Sequence, residues 1–133
     1  MSTAPATGPA TPSKAKLWTG YVLTAIPALM LMFSAGMKLM KPPMVVQGFI
    51  DLGYPEHLAL PIGILELSVA VLFLIPRTAV LGAILVAAYL GGATATHVRL
   101  GQPFIGPVIL GILAWIGLYL RDERLKALVP LRK

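Results

Sequence analysis

The chain has no cysteine. That excludes disulfide exchange, thiolate nucleophiles and thiolate metal sites, and it leaves the redox compartment unmarked. Histidine is scarce too: His57 and His97 are the only two, at a spacing that matches no metal-ligand motif. A metal held by His57, His97 and Glu66 is disfavoured on that ground, and a bis-histidine haem because neither histidine lies well inside an apolar span. Charged residues make up only 12% of the 133, against 57% hydrophobic. A soluble domain of this size buries too modest a share of its surface to hide so much apolar area. The chain reads as one all-α integral membrane domain. Its net charge of +6 does not indicate nucleic acid, because the basic residues lie in tails and short connections without interleaved aromatics. The partner they fit is the lipid bilayer, through anionic headgroups.

What the chain does contain is four long apolar segments. Residues 1–16, with Pro5, Pro9 and Pro12 among Ser, Thr, Ala and Gly, show no apolar periodicity and read as a disordered tail. Leu17–Met37 carries no charge and is long enough, at ~1.5 Å per residue, to cross a ~30 Å hydrocarbon core. It exceeds the apolar run of a cleavable signal peptide, so a first transmembrane helix is the better reading, kinked at Pro27. Further spans are expected over Leu58–Ile75, Thr78–Thr96 and Phe104–Leu120, followed by a charged tail, 121–133. The second and third are joined so tightly at Pro76-Arg77 that they must form an antiparallel hairpin. Between the first two spans, Pro42-Pro43, Gly48, Gly53 and Pro55 forbid one long helix, while Val45, Val46, Phe49, Ile50 and Leu52 recur at helical spacing. A short helix at the membrane surface is expected there.

Four spans put both termini and the Pro76-Arg77 turn on one side. That side holds Lys14, Lys16, Arg77, Arg121, Arg124, Lys126, Arg132 and Lys133, against Lys38, Lys41 and Arg99 on the other. Both termini are therefore expected in the cytoplasm, with Trp18, Tyr21, Trp115 and Tyr119 as the aromatic belt at that boundary. In the third span Ala79, Ala83, Ala87, Gly91 and Ala95 repeat every fourth residue, a small-residue ridge expected to pack within the bundle and, as a lesser reading, between two copies.

Glu66 is the only charged residue of the second span. An acidic side chain at a helix centre in a membrane costs roughly 2.5–3.5 kcal/mol on insertion scales, so protonation, a basic partner or a wet cavity must offset it. At ~100° per residue, Ala59, Gly63 and Ala70 fall within about 60° of it, so the carboxyl is expected to project from the face that packs on a neighbour. Lys38, Thr94, His97 and Arg99 belong to the same outer half. Glu66 lies about 12 Å below the outer boundary, and Lys38, snorkelling from that boundary, is within reach of it directly or through one water. Read without function, Lys38 and Arg99 are interfacial anchors and His97 is a headgroup-level residue; for Glu66 the corresponding reading is a hydrogen-bonding tie between helices, second to a role in binding or proton handling. Lys38, Glu66, Thr94, His97 and Arg99 form the candidate polar site, and Gly63, Ala83, Ala87 and Gly91 the candidate packing positions.

Several segments carry a family resemblance: Phe33-Ser34-Ala35-Gly36-Met37-Lys38, Gly63-Ile64-Leu65-Glu66, Ile75-Pro76-Arg77-Thr78, Gly82-Ala83, Tyr89-Leu90-Gly91-Gly92-Ala93, Thr96-His97-Val98-Arg99 and Trp115-Ile116-Gly117-Leu118-Tyr119-Leu120-Arg121-Asp122. In order and spacing, from Trp18 to Arg121, the chain resembles the DoxX-like family of small bacterial membrane proteins. The resemblance implies a four-helix membrane bundle in the bacterial cytoplasmic (inner) membrane, with Lys38, Glu66 and His97 as its polar motif. It implies little about activity; the family name derives from a subunit linked to quinol oxidation. Two functions follow as expectations. The first is a small subunit or accessory protein of a membrane complex, since the chain has no cofactor motif and no room for a catalytic domain, with a membrane protein or a second copy as partner. The second is a redox-linked protein that binds a quinone, with Glu66 and His97 handling protons. A solute carrier fits less well, because four helices enclose little lumen and no pair of broken helices is present.

Overall fold

The computed structural model of the chain describes residues 13–131. They fold as α1 (Lys14–Met40), α2 (Pro43–Asp51), α3 (Ala59–Leu74), α4 (Ala79–Arg99) and α5 (Ile105–Arg121), with short 3-10 turns at Glu56–Leu58, Pro76–Thr78 and Glu123–Ala127. The protein is an all-helical membrane bundle. Three of its helical stretches, Lys14–Met40, Glu56–Leu74 and Pro76–Arg99, are long and apolar enough to cross a membrane. The fourth expected crossing rests on α5, whose 17 residues extend ~25 Å, somewhat short of a ~30 Å core.

Local chemistry sets the helix ends. The first helix starts inside the stretch expected to be tail, at Lys14, because the Ser13 side chain accepts a hydrogen bond from the Lys16 amide at 3.3 Å and so caps it. Residues 1–12 of the expected tail lie outside the described residues. α1 runs unbroken through the buried Pro27. It ends where Lys41 turns left-handed (φ 52°) and returns its amide to Met37 O at 3.0 Å, just before Pro42-Pro43, which cannot extend the helix. Pro43 then opens α2 at its first position, where a missing N–H costs nothing. Pro107 falls in the first turn of α5 for the same reason.

The four long helices form a closed ring: α1 packs on α3 and α5, and α4 packs on the same two. Small residues make this possible. Gly82 of α4 meets the Phe73 backbone of α3 so closely that a Cβ would overlap it, and Gly117 of α5 would drive a Cβ to 2.8 Å from Thr24 of α1. The core that results, with Ala28, Val69, Phe73, Ala83, Val86, Ala114 and Leu118, lies toward the end of the bundle where α1 begins and α5 ends. At that end Arg121 Nε also donates to Thr24 Oγ1 at 3.0 Å, and its guanidinium lies over the Tyr21 and Phe73 rings.

The small-residue ridge of α4 does not act as one packing surface. Ala79 and Ala83 are buried in the core, Ala87 is half-buried, and Gly91 and Ala95 are exposed. A Cβ on Gly91 would touch nothing within 4 Å. Each four-residue step turns ~40° about the helix axis, so the five positions sweep ~160° and cannot all face one neighbour.

Candidate functional site

Toward the α2 end the helices separate around a cavity of about 540 Å³. Its wall is mostly apolar, and Ser34, Lys38, Glu66, Tyr89, Thr96 and His97 bring polar groups to it from three helices. Glu66 lies mid-way along α3 and is 2% exposed.

The ion pair that the cavity surrounds follows from a close approach one turn earlier. Gly63 of α3 lets α1 come so near that a Cβ there would stand 3.0 Å from Lys38 Cβ and 3.3 Å from Ala35 O. The lysine stem is laid across that glycine, and its ammonium reaches three residues further along α3. Lys38 Nζ lies 2.7 Å from Glu66 Oε2 and donates as well to Ser34 Oγ at 2.6 Å, one helical turn back on its own helix. A buried carboxylate is thus matched by a cation and a hydroxyl-bearing neighbour, the arrangement a low-dielectric interior requires. Tyr89 of α4 lines the same cavity as the carboxylate.

His97 completes the wall. Its Nδ1 lies 2.7 Å from Ala93 O, and a carbonyl oxygen only accepts, so Nδ1 carries the proton. In the neutral ring the lone pair therefore belongs to Nε2, which is the nitrogen able to take up a proton.

Lys38, Glu66 and His97 thus meet at one cavity, while Thr94 and Arg99 lie apart from it. The α4 face that lines the cavity runs through Tyr89, Ala93 and Thr96; Thr94 is ~100° round from Ala93. It hydrogen-bonds Leu90 O at 2.8 Å and borders a second groove, between α4 and α5. Arg99 donates to Leu52 O at 3.2 Å, holding the segment after α2. His57 is exposed on the 3-10 turn before α3. Sequence reasoning missed Ser34, Tyr89 and the Tyr54–Thr96 contact. Ser34 stands four residues before Lys38 and was readable as its helical neighbour; the tyrosines required knowing how α4 is rotated.

A model of the DoxX-like family matches residues 22–117. The chain belongs to that family. The matched stretch includes the three residues of this DoxX-like protein that meet at the cavity. No curated protein and no solved structure matches the chain.

Proposed function

We propose that this protein binds a neutral, lipid-soluble molecule with a hydrogen-bonding head, of the quinone or quinol class, in the cavity around Glu66. The observation that carries this reading is the convergence of Lys38, Glu66, Tyr89 and His97 on an apolar chamber of about 540 Å³, within the usual size of small-molecule sites, roughly 300–1,000 Å³. The charges beside the guest favour a neutral one. Lys38 repels a cation and Glu66 an anion, whereas a carbonyl or hydroxyl oxygen accepts from Lys38 or Tyr89, and a hydroxyl also donates to Glu66 or His97. Two such acceptors beside the ring suit the quinol form in particular, whose two hydroxyls each have a proton to donate.

The same reading sets four crossings, with α5 at the short end of the ~17–25 residue range for a transmembrane helix, in the bacterial cytoplasmic membrane. The basic residues flanking α1 and α5 support cytoplasmic termini. The test is extraction of the protein purified in mild detergent. The account expects a redox-active lipid at near-stoichiometric yield from the unaltered chain and its loss from Ala93→Phe, which fills the chamber.

A second role, as a small subunit of a larger membrane assembly, is supported by the half of the α4 ridge that no helix among the described residues covers. Gly91 and Ala95 border a groove of about 600 Å³ between α4 and α5, where a partner helix could approach closely. Dissociation of a co-purifying partner by Gly91→Leu, with bound lipid retained, tests that role.

A further inference from the structure

The segment between α1 and α3 is tied together by its own hydrogen bonds. Beyond Asp51 the chain folds back on α2, with Gly53 N bonded to Ile50 O and Tyr54 N to Phe49 O, both at 2.9 Å. Residues 43–54 thus form one hydrogen-bonded unit, set between the left-handed Lys41 before Pro42-Pro43 and Pro55. This piece presents Phe49, Leu52 and Tyr54 to the cavity, and Phe49 is the only buried residue of α2. Two hydrogen bonds hold it to the outer end of α4. Thr96 Oγ1 gives its proton to Gly92 O at 2.9 Å, so Tyr54 Oη donates to Thr96 at 2.9 Å; Arg99 supplies the other bond, to Leu52 O.

The opposite flank is arranged differently. The buried residues of α5, Ala114, Gly117 and Leu118, all lie in its second half, so its first half stands away from the core. On α1, Met30 lines the cavity while remaining 53% exposed on the apolar surface, and Pro107 and Leu110 of α5 line it from the facing side.

We propose that the α2 segment is a lid that closes the Glu66 cavity to water, and that the guest enters laterally from the bilayer between α1 and the first half of α5. This names the route to the site put forward above and rests on that reading for the identity of the guest. A lid latched at Tyr54–Thr96 and Arg99–Leu52 keeps the Lys38–Glu66 pair in a water-poor chamber, where its interaction is strongest, while a lipid-soluble molecule never has to leave the membrane.

The absence of native cysteine makes the test direct. Ala93→Cys places one thiol in the cavity of the chain in lipid nanodiscs, and its rate of modification is followed with a neutral, lipid-soluble maleimide and with a cationic, membrane-impermeant methanethiosulfonate. The expected result is selective: Tyr54→Phe combined with Arg99→Gln speeds the cationic reagent at least about tenfold, the scale of losing two hydrogen bonds, and leaves the neutral one unchanged. Met30→Trp slows the neutral reagent severalfold and spares the cationic one. If opening the latch does not change the cationic rate, or Met30→Trp does not slow the neutral one, the proposal is overturned. Thermal unfolding of each variant distinguishes a loosened lid from a loosened bundle, and a global loss of structure on breaking the latch contradicts a lid as well. No quinone enters this experiment, so its failure is separate from failure of quinone binding.

Discussion

Lys38 of α1 and Glu66 of α3 share a hydrogen-bonded ion pair at 2.7 Å, with the carboxylate 2% exposed and the lysine side chain 17% exposed. The two charges hold each other in a place neither would occupy alone. Removing one leaves the other uncompensated, which costs about 3–5 kcal/mol, whereas removing both can be close to neutral. Lys38→Met is therefore expected to lower thermal stability in detergent strongly, and Lys38→Met with Glu66→Leu to recover most of it. Circular dichroism melts of the two single variants and the double variant measure this; additive losses would show the pair to be uncoupled.

Two glycines of α4 should respond in opposite ways. Gly82 abuts the Phe73 backbone, which cannot rotate away as a side chain can. Gly82→Ala is expected to destabilise by about 1–3 kcal/mol through forced separation of α3 and α4. Gly91→Ala, with open space around it, should be neutral or gain up to about 1 kcal/mol from helix propensity. The same melts read both.

At the terminal end, Thr24 relays between helices: it donates to Gly20 O at 2.8 Å and accepts from Arg121 Nε. Arg121 Nη2 is buried without a hydrogen-bond partner, so the Thr24 contact is the polar anchor of a guanidinium otherwise held by aromatic faces. Thr24→Val keeps the shape and deletes the acceptor, with an expected loss of about 1.5–3 kcal/mol. Thr24→Ser should retain most of the stability; equal losses in the two would contradict the role of the hydroxyl.

The turn after α5 is the pH-sensitive part outside the spans. A side-chain hydrogen bond from Arg124 is the main cause that holds the Asp122 carboxyl below the ordinary value of 3.8; burial opposes it, and the Arg124 amide assists. A depressed carboxyl stabilises the folded turn above its unfolded value, and that contribution disappears as pH falls through the lower folded value. The protection of the Arg124 and Leu125 amides, relative to their intrinsic exchange rates at each pH, should fall below about pH 4. In Asp122→Asn that protection should be lower at neutral pH and lose the acid dependence.

Much of this architecture is written locally. The apolar runs set the helices, Ser13 and Pro42-Pro43 set the ends of the first one, and the small residues near Glu66 mark the face it shares. The reach of Lys38 to Glu66 was legible because depth in a membrane converts directly into residue number. What was not legible depends on rotation and divergence between helices. Thr94 and His97 differ by ~60° on a helical wheel, close enough to group on paper, yet they border different spaces. The ridge from Ala79 to Ala95 reads as one stripe, although only its first half is buried. The role of the α2 segment as the wall of a cavity, pinned by Tyr54 and Arg99, comes from contacts more than forty residues apart in sequence, which no local pattern announces.

The central claim is that the chamber around Glu66 accepts a neutral redox lipid, and the most direct measurement is calorimetric titration of the protein in nanodiscs with a short-chain quinone, against empty nanodiscs. The account predicts saturable binding at one site per chain, abolished by Ala93→Phe and weakened at least about tenfold by Glu66→Gln, the scale of one charge-assisted hydrogen bond. Partitioning that never saturates, or a saturable site untouched by both substitutions, would contradict it.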